Sequence, residues 1–459
     1  LRQTLVERLA AADAAIGAIE PTMRAGRLAG LAGLSAEIAG IAGLAGIGDH
    51  VTLRADDGRE VAAEIVGFRD GLARAMPFGP LDGLGPGRPA RLAGARANGR
   101  TLAVGEGWLG RVIDPLGRPL DGRGPLPQGG APRPVRAAPP AAASRARLGA
   151  RLSLGVRVLD LFTTCRRGQR LGLFAASGVG KSTLMAMLAR RAECDVAVVA
   201  LVGERGREVR EFVEDELGPE GLARSVVVVA TSDATPLLRR QAAYAATAIA
   251  EHFRDRGRDV LLMMDSVTRF CAALREIALA AGEPPAMRGF PPSVFAELPR
   301  LLERAGPGPE AEPDGVRPGR ITGLYTVLVD GDDHDEPVAD AVRGTLDGHV
   351  VLERAIAEAG RYPAVNVLRS LSRAVPGCND AGENALVARA RRVLALQADM
   401  ADLIRLGAYR GGTDPAVDEA VRLAPRIEAV MRQDRAEQAT LADAFAALRA
   451  ALEGTDIGA

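Results

Sequence analysis

Leu171-Gly-Leu-Phe-Ala-Ala-Ser-Gly-Val-Gly-Lys-Ser-Thr183 sets an apolar, strand-like run against a turn of small residues, after which Lys181 and Ser182 open a helical pattern. This order reads as a phosphate-binding P-loop. Backbone N–H groups from Ser177, Gly178, Val179 and Gly180 through Thr183 can wrap phosphates, and the helix N-terminus adds a favourable dipole. Lys181 reaches the phosphates in such a loop, and the Ser182 hydroxyl holds Mg²⁺. The common pattern has glycine five residues before Gly180, where this chain has Ala175. Composition supplies independent support, because Lys181 is the only lysine among 58 basic residues. A chain that uses arginine everywhere else keeps lysine where a compact ammonium fits and a planar guanidinium does not.

Outward from the loop, 459 residues predict about three domains. Hydrophobic residues at 47% and charged residues at 25% are those of a globular protein. Zero formal net charge argues against a strongly electrostatic nucleic-acid binder. Cys165, Cys194, Cys271 and Cys378 are scattered and read as reduced thiols, and His50, His252, His334 and His349 lack metal-ligand spacing, so no zinc site is expected. No apolar run is long enough to span a bilayer, and a cytoplasmic protein is expected.

Taken in order, residues 1–25 hold an amphipathic helix pattern at Leu5, Leu9, Ala12, Ile16 and Ile19. Residues 26–98 change to short apolar runs separated by turns such as Asp57-Gly58 and Asp70-Gly71, which predicts a small β-barrel with a scaffold role. A connector and Pro/Ala-rich linker follow over 99–150. Over 151–376 continuous apolar strands alternate with helical stretches, as in a parallel sheet covered on both faces. The proline- and glycine-rich stretch from Gly306 to Gly319 reads as a surface loop. Residues 377–459 are Ala/Leu/Arg/Glu-rich with helical spacing, giving a C-terminal helical domain.

Four further features fit the P-loop. Val260-Leu-Leu-Met-Met-Asp265 is a buried strand ending in a carboxylate that can bind the water shell of Mg²⁺. In Leu201-Val-Gly-Glu-Arg-Gly-Arg-Glu208 the strand-end Glu204 can orient or deprotonate a water, and Arg205 can stabilise phosphoryl charge. Tyr362, before a proline, can stack on a base or fill a core. Arg373 in Ser370-Leu-Ser-Arg373 can serve as a finger into a neighbouring subunit.

With Gly110-Arg-Val-Ile-Asp-Pro-Leu-Gly, Gly155-Val-Arg, Met264-Asp-Ser-Val-Thr-Arg269, Leu298-Pro-Arg-Leu-Leu-Glu-Arg-Ala-Gly306, Tyr325-Thr-Val-Leu-Val-Asp-Gly-Asp-Asp and Tyr362-Pro-Ala-Val added, the chain resembles the catalytic subunits of the hexameric rotary ATPases. It is most similar to the type III protein-export branch, in particular the flagellum-specific ATPases. The resemblance implies a RecA-like α/β core behind a β-barrel, and a Mg²⁺-dependent ATP hydrolase that works as a homohexamer. It implies Glu204 as catalytic base, Arg205 as γ-phosphate ligand, Asp265 on the Mg²⁺ side, Tyr362 stacking on adenine with Tyr409 completing that pocket, and Arg373 as the finger. Ala175 is ordinary in the export branch, whereas Ala176 replaces a glycine and narrows backbone freedom. Gly206-Arg207 after Glu204-Arg205, in place of Thr-Arg, favours that branch over rotary synthase subunits. The implied partners are a regulatory protein at the N-terminal helix, a coiled-coil stalk, export chaperones and a membrane export gate, with peripheral placement at the inner face of the membrane and no nucleic acid. Injectisome export and a β-type synthase subunit are the same-fold alternatives. A non-catalytic ring subunit is disfavoured by Glu204, and an RNA translocase by zero net charge and 3% aromatic residues.

Overall fold

The computed structural model describes residues 24–93, 100–310, 319–329 and 336–454. The helix expected over residues 1–25 falls almost wholly outside that range, and Ala25 already belongs to a strand.

Six strands, β1 (Ala25–Ala32), β2 (Ser35–Ala39), β3 (His50–Arg54), β4 (Glu60–Arg69), β5 (Leu72–Pro77) and β6 (Pro89–Leu92), close into a barrel in the order β1-β2-β5-β4-β3-β6. Alternation in β3 and β4 turns Val51, Leu53, Val61, Ala63 and Ile65 inward. Asp70 (φ 50°) and Gly71 (φ 76°) make the two-residue turn between β4 and β5, since paired positive φ values match the twist of a tight hairpin.

The main sheet is built from β7 (Arg111–Ile113), β8 (Arg170–Ala175), β9 (Val196–Glu204), β10 (Ser225–Thr231), β11 (Asp259–Asp265), β12 (Arg320–Leu328), β13 (Gly348–Leu352) and β14 (Val365–Ser372). Its order is β14-β13-β8-β12-β11-β9-β10-β7. All neighbours are parallel except β13 and β14. Every residue of β9 is buried, as a strand covered on both faces requires. The main helices around the sheet are α1 (Arg157–Phe162), α2 (Lys181–Arg191), α3 (Gly206–Glu211), α4 (Pro236–Arg254), α5 (Val267–Ala281), α6 (Pro292–Leu302) and α7 (Pro337–Thr345). Helix α4 starts at Thr235, whose hydroxyl accepts from the Leu238 N–H, with Pro236 in the first turn.

The connector belongs to this sheet. Its β7 extends β10 in parallel, pairing Arg111 with Val226 and Ile113 with Val228. Arg111 donates to both oxygens of Asp121 at 2.7 and 2.9 Å, which closes the turn behind β7. The linker is a strap across the sheet domain: Val135 is buried, and its carbonyl accepts from Arg304, whose guanidinium grips Glu251 at 2.9 and 2.7 Å. Glu64 of β4 pairs with Arg240 of α4 and lies 3.4 Å from Arg136 of the strap, which joins barrel to sheet. The loop expected from Gly306 begins instead as a buried pair of residues, Gly306–Pro307, antiparallel to the start of β12, and residues 311–318 lie outside the described range.

Helices α8 (Ala381–Arg405), α9 (Pro415–Met431) and α10 (Leu441–Glu453) form the C-terminal unit. Capping boxes at Asp380 with Glu383 and at Thr440 with Asp443 start α8 and α10. Their apolar stripes share one core with α1 and α2. Buried Gln433 ties the unit down, since its backbone N–H donates to the Tyr362 carbonyl at 2.9 Å and its amide to the Gly155 carbonyl at 3.1 Å.

Candidate active site

Strands β8, β9 and β11 end on the same side of the sheet, where ligands of parallel α/β folds bind. After β8 the chain turns through Gly178 (φ 81°) and Gly180 (φ 88°) into α2. A Cβ on Gly180 would also stand 3.3 Å from the Tyr362 ring, so the backbone requires glycine there and the space beside the ring is tight. Ala175 and Ala176 make no such demand. Among the described residues only Asp70 and Arg288 are non-glycines at positive φ, so the turn accommodates alanine at 176 without backbone strain. Val179 is buried, while Ser177, Gly178 and Ser182 are exposed.

Lys181 connects the two strand-end carboxylates. Its Nζ is 2.5 Å from Asp265 Oδ1 and 3.7 Å from Glu204 Oε1. The Thr326 hydroxyl donates to the same Asp265 oxygen at 2.7 Å. Arg269 places Nε 3.5 Å from Glu204 Oε1 and donates to the Gly203 carbonyl at 2.6 Å. Burial, then the negative Asp265 nearby, push the Glu204 carboxyl up to about 7, outweighing the downward pull of Lys181 and Arg269. Glu204 Oε1 is buried without a hydrogen-bond partner. The result is a carboxyl poised near neutrality with an oxygen able to accept a proton from water.

Tyr362 is 46% exposed and lines a cleft of about 260 Å³ with Gly180, Thr183, Met187, Gln433 and Arg435. Tyr409 is elsewhere: it sits between α8 and α9, with its hydroxyl on Asp418 at 2.9 Å and the Asp414 carbonyl at 3.0 Å, and is not among the residues lining that cleft. The Arg205 side chain is 78% exposed and pairs with Glu208 at 3.2 Å, so Arg269 is the arginine that meets Glu204 within the chain. Arg373 follows the edge strand β14 and is exposed. Thus the structure brings together Lys181, Glu204, Asp265 and the P-loop, with Tyr362 against Gly180, and leaves Arg205, Arg373 and Tyr409 apart from them. Sequence reasoning passed over Arg269, Thr326 and Gln433. The spacing of Arg269, four residues past Asp265 at the start of a helix, was the available signal; Thr326 and Gln433 are reached only through tertiary contact.

The nucleotide-binding domain of the ATP synthase alpha/beta family matches residues 155–372, its beta-barrel domain matches 34–94, and the C-terminal domain of the T3SS EscN ATPase matches 380–450. The "Flagellum-specific ATP synthase" of Caulobacter vibrioides is 54% identical over 95% of this chain and 97% of its own length. The chain belongs to the ATP synthase alpha/beta family, among the flagellar and type III secretion ATPases. It is an ATP-hydrolysing enzyme of type III export. The "Flagellum-specific ATP synthase" of Bacillus subtilis is 48% identical over 86% of this chain and 87% of its own. The "Type 3 secretion system ATPase" of Xanthomonas euvesicatoria is 50% identical over 84% of each. Among solved structures, the assembled ATPase EscN of the enteropathogenic E. coli type III secretion system superposes with a TM-score of 0.84 at 37% identity, covering 93% of this chain and 100% of that one. EscN in complex with its central stalk EscO gives 0.82. The export-ATPase family thus covers barrel, core and C-terminal unit alike.

Proposed function

We propose that this chain is the Mg²⁺-dependent ATPase of flagellar export, with Lys181, Ser182, Glu204 and Asp265 of one subunit completed by Arg373 of the next in a homohexamer. The observation that carries the reading is the Lys181–Asp265–Glu204 cluster beside the P-loop. ATP phosphates displace the carboxylates from Lys181 and take up the loop N–H groups of residues 177–183. Glu204, with an oxygen that no donor hydrogen-bonds and a raised pKa, accepts the proton of the attacking water. Arg269 restrains the Glu204 carboxylate, and exposed Arg205, held only by a surface pair of small worth, turns inward to the γ-phosphate. The adenine stacks on Tyr362; Tyr409 reaches it only if the α8–α9 turn moves.

The donor set fits Mg²⁺. Among the described residues no group of three or more His, Cys, Asp or Glu gathers as a metal site, and the Ser182 hydroxyl with the Asp265 carboxylate is the sparse oxygen set of an ion that keeps waters and shares phosphate oxygens. When bound, the ion neutralises charge developing on the phosphoryl group.

The flagellar assignment follows the relative at 54% identity; an injectisome ATPase is the second reading, favoured by the relative at 50%. A coiled-coil stalk partner is proposed from the EscN–EscO complex, and a regulator of the N-terminal segment, export chaperones and a membrane gate from the family. No helix among the described residues is long and apolar enough to cross a membrane. Placement in the cytoplasm, peripherally at the membrane's inner face, is proposed from the family. The test is Mg²⁺-ATP hydrolysis against protein concentration, beside Glu204→Gln. Specific activity that rises with concentration and vanishes in the variant is expected; activity retained by Glu204→Gln removes the proposed base.

A further inference from the structure

We propose that Glu216 is a positioning residue for hydrolysis: it holds the segment that leaves β9 after Glu204 and carries Arg205 against the first turn of the P-loop helix. The Thr183 hydroxyl donates to Glu216 Oε1 at 3.2 Å, while Glu216 Oε2 is buried with no hydrogen-bond partner. A carboxylate oxygen kept from water without a partner destabilises the fold, so its placement calls for a compensating role.

The local backbone serves that placement. Glu216 lies in a π-helical stretch, Phe212–Leu217, between α3 and the helix Gly218–Ala223. One extra residue in a helical turn rotates the downstream side chains by about 100°, and such turns recur at functional sites. Phe212 and Leu217 are buried at the two ends of the stretch and hold it in place.

The segment therefore touches the start of α2 twice. Glu204 meets Lys181 at 3.7 Å, and Glu216 meets Thr183, two residues further on. Between them, among the described residues, Arg205, Arg207 and Arg210 pair with Glu208, Glu211 and Glu214 on the exposed face of the same segment, and such pairs fix little. Glu204 itself is set by β9 and by Arg269, so Glu216 is a second polar tie to the P-loop helix, and it holds the segment that carries Arg205. It acts through Arg205 and does not itself touch the nucleotide.

This inference rests on the site reading above, with Glu204 as the base and Arg205 at the γ-phosphate. The test is steady-state hydrolysis by the full chain, at a concentration where wild-type specific activity has levelled off, for Glu216→Ala, Glu216→Gln, Thr183→Val and the Glu216→Ala/Thr183→Val pair. Glu216→Ala is expected to lower kcat by roughly tenfold or more, as small misplacements of reacting groups do, with KM for ATP within about twofold of wild type. Glu216→Gln keeps an oxygen for Thr183 and retains most of kcat. The double variant is no slower than the slower single, because both remove one contact. Wild-type kcat in Glu216→Ala, additive losses in the double, or failure of Gln to rescue overturns the proposal. If Glu216→Ala does not fold, Glu216→Asp decides: its carboxylate falls short of Thr183, so a kcat loss of roughly tenfold at little-changed KM is expected, and wild-type kcat counts against the contact. An inactive wild type or an active Glu204→Gln would instead overturn the site reading itself.

Discussion

Lys181 is held between two carboxylates and a glycine turn, a space shaped for a single ammonium. Lys181→Arg should therefore fail nearly as completely as Lys181→Ala, with a kcat loss of about a hundredfold or more, although the charge is kept. Single-turnover hydrolysis of both variants checks it. Gly180 is constrained twice, by φ 88° and by the Tyr362 ring. Gly180→Ala should weaken nucleotide binding, read as quenched or shifted fluorescence of a labelled ATP analogue, because alanine at φ 88° is strained and its Cβ crowds the Tyr362 ring. The contrast with Ala176, which the turn accepts at ordinary φ, shows that glycine content alone does not grade a P-loop; the dihedral at each position does.

Among the elements, β7 depends on the Arg111–Asp121 pair. The hydrogen bonds from Arg111, with further donors at Arg123 N and Val112 N, hold the Asp121 carboxyl well below the usual carboxylate range. A depressed folded-state pKa contributes stability that is present above the unfolded value, near 4, and is lost as pH falls below it. Asp121→Asn should cost about 3 kcal/mol at neutral pH, because it leaves Arg111 buried without its countercharge, and the gap in thermal midpoint from wild type should narrow below about pH 4. Parallel thermal melts between pH 3 and 8 measure it. This pair also marks where sequence reading stopped. The strands from β8 to β13 were legible because each is a continuous apolar run, and the cluster around Lys181 was legible because Glu204 and Asp265 end such runs. Strand β7, only three buried residues long, was hidden in a turn-dense connector, and β14 was hidden because as an edge strand it mixes buried positions with exposed Leu368, Arg369 and Leu371 and so forms no continuous apolar run. Arg269 and Thr326 act through folded proximity that no local pattern announces.

For the whole molecule, the separation of Arg373 from Lys181 and Glu204 within one chain makes mixing informative. Glu204→Gln and Arg373→Ala should each be inactive alone. Combined in equal amounts and allowed to reassemble, they should recover activity at about a quarter of interfaces, those pairing an intact Glu204 with an intact Arg373. No recovery, with each variant shown to assemble by light scattering, would place the finger within the subunit or elsewhere. The assignment of β7 to the sheet has a consequence for how the chain is made. Synthesis releases the barrel and then Arg111–Ile113, yet the partner strand beginning at Ser225 is still to come. At translation rates of about 5–20 residues per second, β7 waits on the order of ten seconds with an unpaired edge beside a barrel already able to close. A nascent chain stalled before Ser225 should therefore engage holdase chaperones, and release should follow soon after β10 leaves the exit tunnel.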